Sequence, residues 1–258
     1  MPKTRQIWKH HVREASQPIS LIAYCARYFP ILGSRRATKK AIGEGRLLLN
    51  GRPARTADRV QNGDRLELRG AGLSKAKAFE ANLEVVFEDD SLLAVNKPGG
   101  IAVNGNRKKT VENALAGTVA PSSRPDALPR PVAIHLIDVP TKGLVLLAKT
   151  KTALIGLSQA FQQNEIEKEY LAVVHGRSPA RDRIERPIQG KEAITEYETL
   201  ETAPSRVYGH LSLLRLRPVT GRTHQLRLHL RDAGHLILGD KAYAKGERTL
   251  LGKGLFLC

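Results

Sequence analysis

The sequence has few cysteines, no long apolar run and a shortage of acidic residues. Its two cysteines, Cys25 and Cys258, give a chain of 258 residues neither a disulfide framework nor the spacing of a metal site. No apolar stretch approaches the ~18 residues of a membrane span. The first residues are basic and lack the apolar segment of a secretory signal. These absences favour a cytoplasmic protein that needs neither a membrane nor a metal ion.

The charge balance is the most informative global property. The chain has 42 Lys and Arg against 25 Asp and Glu, a formal net charge of +17. A surplus of this size favours binding to a polyanion, and RNA or DNA fits better than a membrane because no amphipathic anchor helix is evident. Residues 1–70 contain 15 Lys and Arg but only 5 Asp and Glu. We therefore expect this part of the chain to supply most of the non-specific affinity for nucleic acid.

Residues 1–72 have the pattern of a small module built from two short helices and a hairpin. Residues 19–26 favour a first helix, and Ser34 is a suitable N-cap for a second helix that runs to Ile42. The pair Asn50-Gly51 is a strong hairpin signal. The second helix carries four basic residues on one face, which can grip phosphates without reading bases. Such a face can also be merely solvated.

The spacing of this segment resembles the S-four-like RNA-binding module. The resemblance lies in Ser34-Arg35-Arg36, Ala41-Ile42, Gly45-Arg46, Asn50-Gly51, Val60 and Gly63-Asp64. It implies that the module contacts RNA through Ser34, Arg35, Arg36, Lys39, Lys40, Arg46, Asn50 and Arg52. Residues 73–82 have no clear period and indicate a linker.

The pattern of residues 83–258 predicts many strands and three helices. Strands are predicted at 83–87, 92–97, 132–134, 144–148, 168–174, 195–200 and 211–216. Helices are predicted at 110–116, 152–163 and 224–233, the last with Thr223 as N-cap and with Leu226, Leu230 and Ala233 in the core. Residues 121–131, rich in Pro and Ser, are expected to form a surface loop.

Asp138 occupies a short polar segment between two of the predicted strands. Asp is depleted from strands and Val139-Pro140 cannot continue a ladder, so Asp138 is predicted at a strand end. Its simplest role is to close a turn, as Asp often does beside Pro and Gly. In so basic a chain, however, a carboxylate can face an anionic partner only if a nearby cation keeps it ionised.

The densest polar string of the chain, Thr220 to Leu230, offers a candidate for that cation. As a surface ion pair, Arg227 would contribute about 0–1 kcal/mol, but beside Asp138 it would matter more because an unpaired carboxylate in a pocket costs several kcal/mol. A zinc site is not expected, since His224 and His229 are about 140° apart around a helix and no third ligand is obvious. Tyr170, on a predicted strand, could be an ordinary core aromatic.

Several motifs of this region resemble the RluA-type pseudouridine synthases in order and spacing. They are Lys97-Pro98-Gly99-Gly100, His135 to Gly143, Lys168 to Ala172, Thr220 to His229, and Gly234-His235 with Gly239-Asp240 and Tyr243. The resemblance implies an α+β catalytic domain at 83–258, with a mixed, largely antiparallel sheet, flanking helices and a central cleft. It implies isomerisation of uridine to pseudouridine in structured RNA, ribosomal rather than transfer RNA, by a monomer without cofactor or metal.

The same resemblance implies roles for single residues. Asp138 matches the catalytic aspartate, Tyr170 the tyrosine that lies against the target base, and Arg227 the arginine that pairs with the aspartate. His135, Leu136, Arg222 and His224 are implied as further RNA contacts. The carboxylate could attack or stabilise the anomeric carbon, or remove a ribose proton, and the sequence does not choose between these.

The chain departs from the family pattern at three places. Leu136 replaces an arginine that helps to hold the flipped-out nucleotide, and Lys142 replaces the serine before Gly143. The chain also ends at Cys258, within an expected closing strand, so the domain is expected to be cut short. These departures leave a rival hypothesis, a weakly active or inactive RNA-binding or ribosome-assembly protein on the same scaffold. A DNA-binding regulator fits less well because no helix-turn-helix is apparent.

Overall fold

The computed structural model describes residues 7–12, 15, 17–29, 32, 35–69, 79–105, 107–244 and 254–258. Within these residues the chain forms three four-stranded antiparallel sheets, one two-stranded sheet and five helices. The predicted α+β class with largely antiparallel sheets is confirmed. No helix in the described part of the chain is long and apolar enough to cross a bilayer.

The first sheet is built from the N-terminal residues, with strand order β1-β6-β3-β4. The elements are β1 (Ile7–His11), β2 (Ile19–Ser20), α1 (Leu21–Tyr28), α2 (Arg35–Gly43), β3 (Leu47–Leu49), β4 (Arg52–Pro53), β5 (Arg59–Val60) and β6 (Arg65–Arg69). The predicted second helix and the hairpin are confirmed, and Asn50 and Gly51 both have positive φ, 50° and 83°, as a type I′ turn requires. The first helix begins at Leu21 rather than Ile19 because Ile19–Ser20 pairs with β5. Ser34 and residues 73–78 of the predicted linker lie outside the described residues.

The N-terminal residues share a hydrophobic core with a later part of the chain. One cluster of buried side chains joins Trp8, Leu21 and Leu66 to Leu128 and Leu154. The Lys151 ammonium also lies 4.2 Å from the centre of the Trp8 ring. Removing residues 1–72 would therefore expose apolar surface of the remaining chain to water. Each Å² exposed in this way would cost about 25 cal/mol of stability. The module is better tested by changing its charges in the full chain than by deletion.

The second sheet, ordered β7-β8-β10-β9, carries the strand before and the strand after Asp138. Its elements and helices are β7 (Glu84–Glu88), β8 (Leu92–Lys97), α3 (Val111–Leu115), β9 (Ala127–Ala133), β10 (Gly143–Thr150) and α4 (Lys151–Gln162). The Thr110 and Thr150 side chains cap the two helices by accepting from the N–H groups three residues later. The predicted loop at 121–131 is wrong from residue 127 onward. Those residues form the edge strand β9, where Pro is tolerated because one side of the ladder is unpaired.

The third sheet has the order β11-β14-β13-β12 and packs against the last helix. The elements are β11 (Tyr170–His175), β12 (Arg181–Glu185), β13 (Ile194–Ser205), β14 (Gly209–Pro218) and α5 (Gln225–Asp232). Strand β12 was not predicted from the sequence because its side chains are largely charged and exposed and show no apolar alternation. Thr223 is not the N-cap of α5, which is His224. Leu226 and Leu230 are buried as predicted, whereas Ala233 is exposed.

The C-terminal segment 254–258 connects the second and third sheets. The N–H of Leu171 donates to the Cys258 carbonyl at 2.7 Å, so the segment runs along the free edge of β11. On its other side, the Lys142 N–H donates to the Leu257 carbonyl at 3.2 Å. The segment thus ties the end of the Asp138 loop to the strand that begins with Tyr170.

Candidate active site

A buried lysine, Lys97, is hydrogen-bonded to the backbone of the loop of residues 135–142, which contains Asp138. Lys97 ends β8, has no solvent exposure, and donates from Nζ to the carbonyl oxygens of Pro98, Ile101 and Val139 at 3.0, 3.0 and 3.2 Å. Burial lowers the pKa of Lys97 to about 8, while the charge of nearby Asp138 acts in the opposite direction. Lys97 therefore fixes the backbone directly beside the candidate carboxylate.

Two glycines allow the chain after Lys97 to approach the same loop closely. A Cβ atom on Gly99 would lie 3.0 Å from the Pro140 carbonyl oxygen, closer than ordinary contacts allow. Gly100 has φ +94°, a conformation that favours glycine, and its N–H donates to the Val139 carbonyl at 2.7 Å. The motif Lys97-Pro98-Gly99-Gly100 is thus a support for the loop, a role that was not predicted from its sequence.

Arg227, on α5, connects two carboxylates. Its Nη1 donates to Asp138 Oδ2 at 3.0 Å, and its Nε and Nη2 donate to the two oxygens of Asp240 at 2.7 Å each. Arg227 and Asp240 are 5% and 1% exposed, whereas the Asp138 side chain is 24% exposed. Burial alone would lower the pKa of Arg227, but the hydrogen bonds and charges of Asp240 and Asp138 outweigh it and raise the pKa above its usual value. The predicted pairing of Asp138 with Arg227 is present, and the guanidinium stays charged.

Asp240 is a site residue whose role was not predicted from the sequence. It follows Gly239, which has φ +81° and leaves no room for a side chain, because a Cβ there would overlap the Gly254 carbonyl. The three apolar residues before this glycine, 236–238, are all buried. An acidic residue separated from a buried apolar run by a single glycine was the available signal, because a buried carboxylate requires a cation.

His224 approaches Asp138 from the other side. Its Nε2 lies 3.6 Å from Asp138 Oδ1, and its Nδ1 is hydrogen-bonded to the Tyr243 hydroxyl at 2.7 Å. The guanidinium carbons of Arg227 and Arg231 lie 4.9 and 5.2 Å from the centre of the Tyr243 ring. His224, predicted as an RNA contact, therefore also faces the candidate carboxylate.

Tyr170 lies at the first position of β11, partly buried against the core of the third sheet. Burial raises the pKa of Tyr170, and the negative charge of Asp138 raises it further. The second effect requires the two side chains to be near one another. The structure thus pairs Asp138 with Arg227 directly and places Tyr170 within reach of the charge of Asp138.

The remaining predicted RNA contacts of this domain differ in accessibility. His135 is partly buried, stacks on Phe161 with ring centres 4.7 Å apart, and accepts the Leu146 N–H at Nε2 at 3.1 Å. Burial, and secondarily the charge of Lys168, lowers the pKa of His135 to about 4, so the ring is neutral. His135 therefore anchors the loop to β10.

Leu136 and Arg222 lie at the surface of the same domain. The Leu136 side chain is 65% exposed, next to the loop backbone that leads to Asp138. Arg222 is exposed too, although its Nε donates to the Glu192 carbonyl at 2.8 Å. Both side chains present solvent-facing atoms on the segments that flank the site.

The described residues predicted to bind RNA in the N-terminal part fall into two groups. Arg35, Arg36, Lys39 and Lys40 are all exposed on α2, as the helical pattern predicted, and Lys40 also forms a surface ion pair with Glu44 at 3.8 Å. The others are engaged within the module: Arg46 pairs with Glu44, Asn50 bonds to Asp64, and Arg52 forms two hydrogen bonds to Asp58 at 2.9 and 3.0 Å. Among the residues predicted to bind RNA in this part of the chain, the exposed positive charge therefore lies mainly on α2.

The histidine pair considered for zinc does not form a ligand set. His229 is fully buried, with Nε2 bonded to the Arg186 carbonyl and Nδ1 to Thr195 Oγ1. In the part of the chain that the structure describes, no three His, Cys, Asp or Glu side chains are grouped to hold a metal ion. The side chains that the structure offers for chemistry here are the carboxylate, the guanidinium and the aromatic ring.

This arrangement presents the negative charge of Asp138 at a fixed position. The Asp138 carboxylate is open enough to meet a substrate and is held by a permanent cation, which is the setting for nucleophilic or general-base work. The adjacent tyrosine offers an aromatic surface, and the exposed leucine offers an apolar surface at the rim.

Comparisons with known proteins show the family of this chain. The sequence model of the family described as RNA pseudouridylate synthase matches residues 91–232. An uncharacterized RNA pseudouridine synthase of Chlorobaculum parvum is 32% identical over 246 residues, covering 84% of this chain and 73% of that protein. The ribosomal large subunit pseudouridine synthase D of Vibrio cholerae is 34% identical over 242 residues, covering 86% and 71%.

A solved structure of an RNA pseudouridylate synthase domain has a similar fold. The human RNA pseudouridylate synthase domain containing 1 superposes with a TM-score of 0.58 and 25% identity, over 68% of this chain and 76% of that one. Fold, site and sequence together define an RNA-modifying isomerase. The chain belongs to the RNA pseudouridylate synthase family.

Proposed function

We propose that this protein isomerises uridine to pseudouridine in structured RNA, most readily ribosomal RNA, with Asp138 as the reacting carboxylate. The observation that carries this proposal is the 3.0 Å hydrogen bond from Arg227 to Asp138, in a site where Asp240 holds Arg227 in place. The relative from Vibrio cholerae is named for the large ribosomal subunit, which supports ribosomal RNA as the substrate class.

The reaction requires one bond to break and another to form on the same ribose. The bond from N1 of uracil to C1′ breaks, the ring rotates, and C5 bonds to C1′. The proton on C5 then leaves and N1 gains one, so the overall change is an isomerisation. The Asp138 carboxylate either meets C1′ or removes a ribose proton. Arg227 keeps it charged and oriented, and Tyr170 is proposed to pack against the detached ring and to assist proton removal.

The N-terminal residues are proposed to act as an S-four-like RNA-binding module. The four exposed basic residues of α2 provide phosphate contacts, which position an RNA without reading its bases. The target uridine must still leave its stack, which costs a few kcal/mol. Binding by α2 supplies free energy toward that cost without touching the reacting atoms.

The substitution Asp138→Asn tests the catalytic part of this proposal. It removes the charge and keeps the shape, so release of tritium from C5-labelled uridine in ribosomal RNA should be lost while RNA affinity is nearly unchanged. Asp182→Asn, on the exposed strand β12, is the matched control and should keep full turnover. Full turnover by Asp138→Asn would overturn the site assignment.

The RNA itself can be identified in cells. Mapping pseudouridines in total RNA from cells with and without the gene should reveal missing positions in ribosomal RNA. If the purified wild-type protein binds RNA but forms no pseudouridine in any of it, the inactive RNA-binding scaffold replaces the enzyme.

A further inference from the structure

The side chain of His224 occupies a helix N-cap without capping the helix. N-cap side chains usually accept a hydrogen bond from the first turn, but the His224 ring accepts none. The turn before α5 is closed by Gln225, whose Oε1 accepts from the Arg222 N–H and from Thr220 Oγ1. Among the described non-glycine residues His224 is one of four with positive φ, +55°. Such strain costs energy and clusters at functional sites.

The strained backbone directs the two ring nitrogens of His224 at two different partners. Nδ1 is bonded to the Tyr243 hydroxyl, and Nε2 faces Asp138 Oδ1 at 3.6 Å. The other carboxylate oxygen, Oδ2, accepts from Arg227. Since residues three apart lie on one side of a helix, the start of α5 faces both oxygens of one carboxylate.

The surroundings decide which ring nitrogen carries the proton. A lone pair on Nε2 would point at the negative Asp138 oxygen and repel it, so Nε2 is the protonated nitrogen. In the neutral ring Nδ1 is then an acceptor, and the Tyr243 hydroxyl donates to it. A separation of 3.6 Å is too long for a hydrogen bond, but catalytic hydrogen bonds often tighten only when substrate is bound.

Tyr243 is fixed by the same groups that fix Arg227. Its N–H donates to the Asp240 carbonyl oxygen at 3.4 Å, and its ring lies under the Arg227 guanidinium. Asp240 holds Arg227 through two hydrogen bonds. The two residues that face Asp138 are therefore supported by one cluster of contacts.

We propose that His224 is a positioning residue for Asp138, and that Tyr243 sets the tautomer of its ring. The inference rests on the proposed function, in which Asp138 is the reacting carboxylate. When RNA fills the site, the Nε2–H of His224 moves into hydrogen-bond distance of Oδ1. The carboxylate is then held at both oxygens in a single orientation toward the ribose.

Two substitutions of His224 separate this role from a structural one. In His224→Gln the amide nitrogen can replace Nε2 and face Asp138, whereas in His224→Asn the amide can replace Nδ1 and face only Tyr243. Asn tolerates positive φ better than Gln, so a purely structural role predicts that the Asn variant is the better enzyme. The positioning role predicts the reverse order.

The expected kinetics follow from the geometry. His224→Asn should lower kcat roughly 10- to 100-fold, because a misplacement of about 1 Å can cost about 100-fold. KM should stay within about twofold, because the contact orients Asp138 and does not itself bind the RNA. His224→Gln should recover most of kcat, and Tyr243→Phe, which keeps the ring under Arg227, should lose part of it. Equal kcat values for both His224 variants, or a higher value for Asn, would overturn the inference.

A second measurement does not depend on turnover. In the ¹⁵N-labelled full-length protein, the His224 ring should show a protonated Nε2 and an unprotonated Nδ1, and both Asp138→Asn and Tyr243→Phe should shift these signals. Unchanged ring signals in the two variants would overturn the inference. If Asp138→Asn is inactive while every His224 variant is fully active, only this inference fails. An inactive wild-type protein contradicts the proposed function instead.

Discussion

Arg227 uses Nε and Nη2 for Asp240 and keeps Nη1 for Asp138. The better-buried partner is Asp240, which is 1% exposed, and it fixes the plane of the guanidinium. The partly exposed carboxylate of Asp138 then accepts a hydrogen bond from Nη1 of Arg227, whose direction is fixed before any substrate binds. This preorganisation is how a fixed charge becomes useful in a reaction, because the site need not rearrange when charge develops.

Arg227→Ala should therefore destabilise the protein as well as inactivate it. It leaves Asp240 buried without a cation, and breaking a buried pair in this way costs about 3–5 kcal/mol. Arg227→Lys should restore much of the stability but little activity, since one ammonium cannot reproduce the planar fork that spans two carboxylates. Urea unfolding and pseudouridine formation measure the two effects. Wild-type turnover in the Lys variant would show that guanidinium geometry is unimportant.

The second prediction concerns pH and His135. The pKa of His135 is about 4 in the folded chain against 6.5 for the free side chain, so between these values the unfolded state binds more protons. Stability should rise with pH across this window and fall as the pH drops from about 6.5 to 4, by at most about 3 kcal/mol. Protonated Nε2 could no longer accept the Leu146 N–H. In His135→Gln the free energy of unfolding should depend less on pH between about 4 and 7. An identical dependence in both proteins would contradict this account.

The third prediction concerns RNA binding by α2. Each phosphate that a cation no longer neutralises lowers the slope of log K against log salt by about 0.7–0.9, so replacing the exposed Arg36 and Lys39 by Gln should reduce it by up to about 1.4–1.8. The matched control is the double Gln variant of Arg181 and Arg183, which removes the same charge from side chains already paired with glutamates on the third sheet. The control should change the slope less. Equal slopes for wild type and the α2 variant would argue against an RNA role for the helix.

The fourth prediction concerns Leu136, which is 65% exposed beside the Asp138 loop. Leucine can act as an apolar wedge in an unstacked step but cannot hydrogen-bond there as an arginine can. We expect the wild-type protein to modify uridines in open loops faster than those stacked in a duplex. Leu136→Arg should raise the rate on duplex-embedded uridine and change the loop rate little. The rates of both proteins are compared on one loop RNA and one duplex RNA. If Leu136→Arg is no faster than wild type on the duplex, Leu136 does not limit the reaction there.

Much of this architecture could be predicted from the sequence because it depends on local patterns. The hairpin at Asn50-Gly51 and helix α2 lie where turn chemistry and residue spacing placed them. The strands around Asp138 were predicted from apolar runs. The charged strand β12 and residues 127–131 of the edge strand β9 were not, because neither has a clean apolar alternation and pairing with a neighbour decided their conformation.

The sequence by itself determined which residues were candidates, and the tertiary structure decided how they act. Asp138, Tyr170 and Arg227 stood out through their motifs, and the structure pairs Asp138 with Arg227 and places Tyr170 within reach of the charge of Asp138. The roles of Lys97, Asp240 and His224 came only from the fold. Lys97 supports a loop more than forty residues away in sequence, Asp240 holds Arg227, and His224 faces Asp138. Contacts of this kind depend on where sheets and helices meet, and no local propensity encodes a distance between residues far apart in the chain.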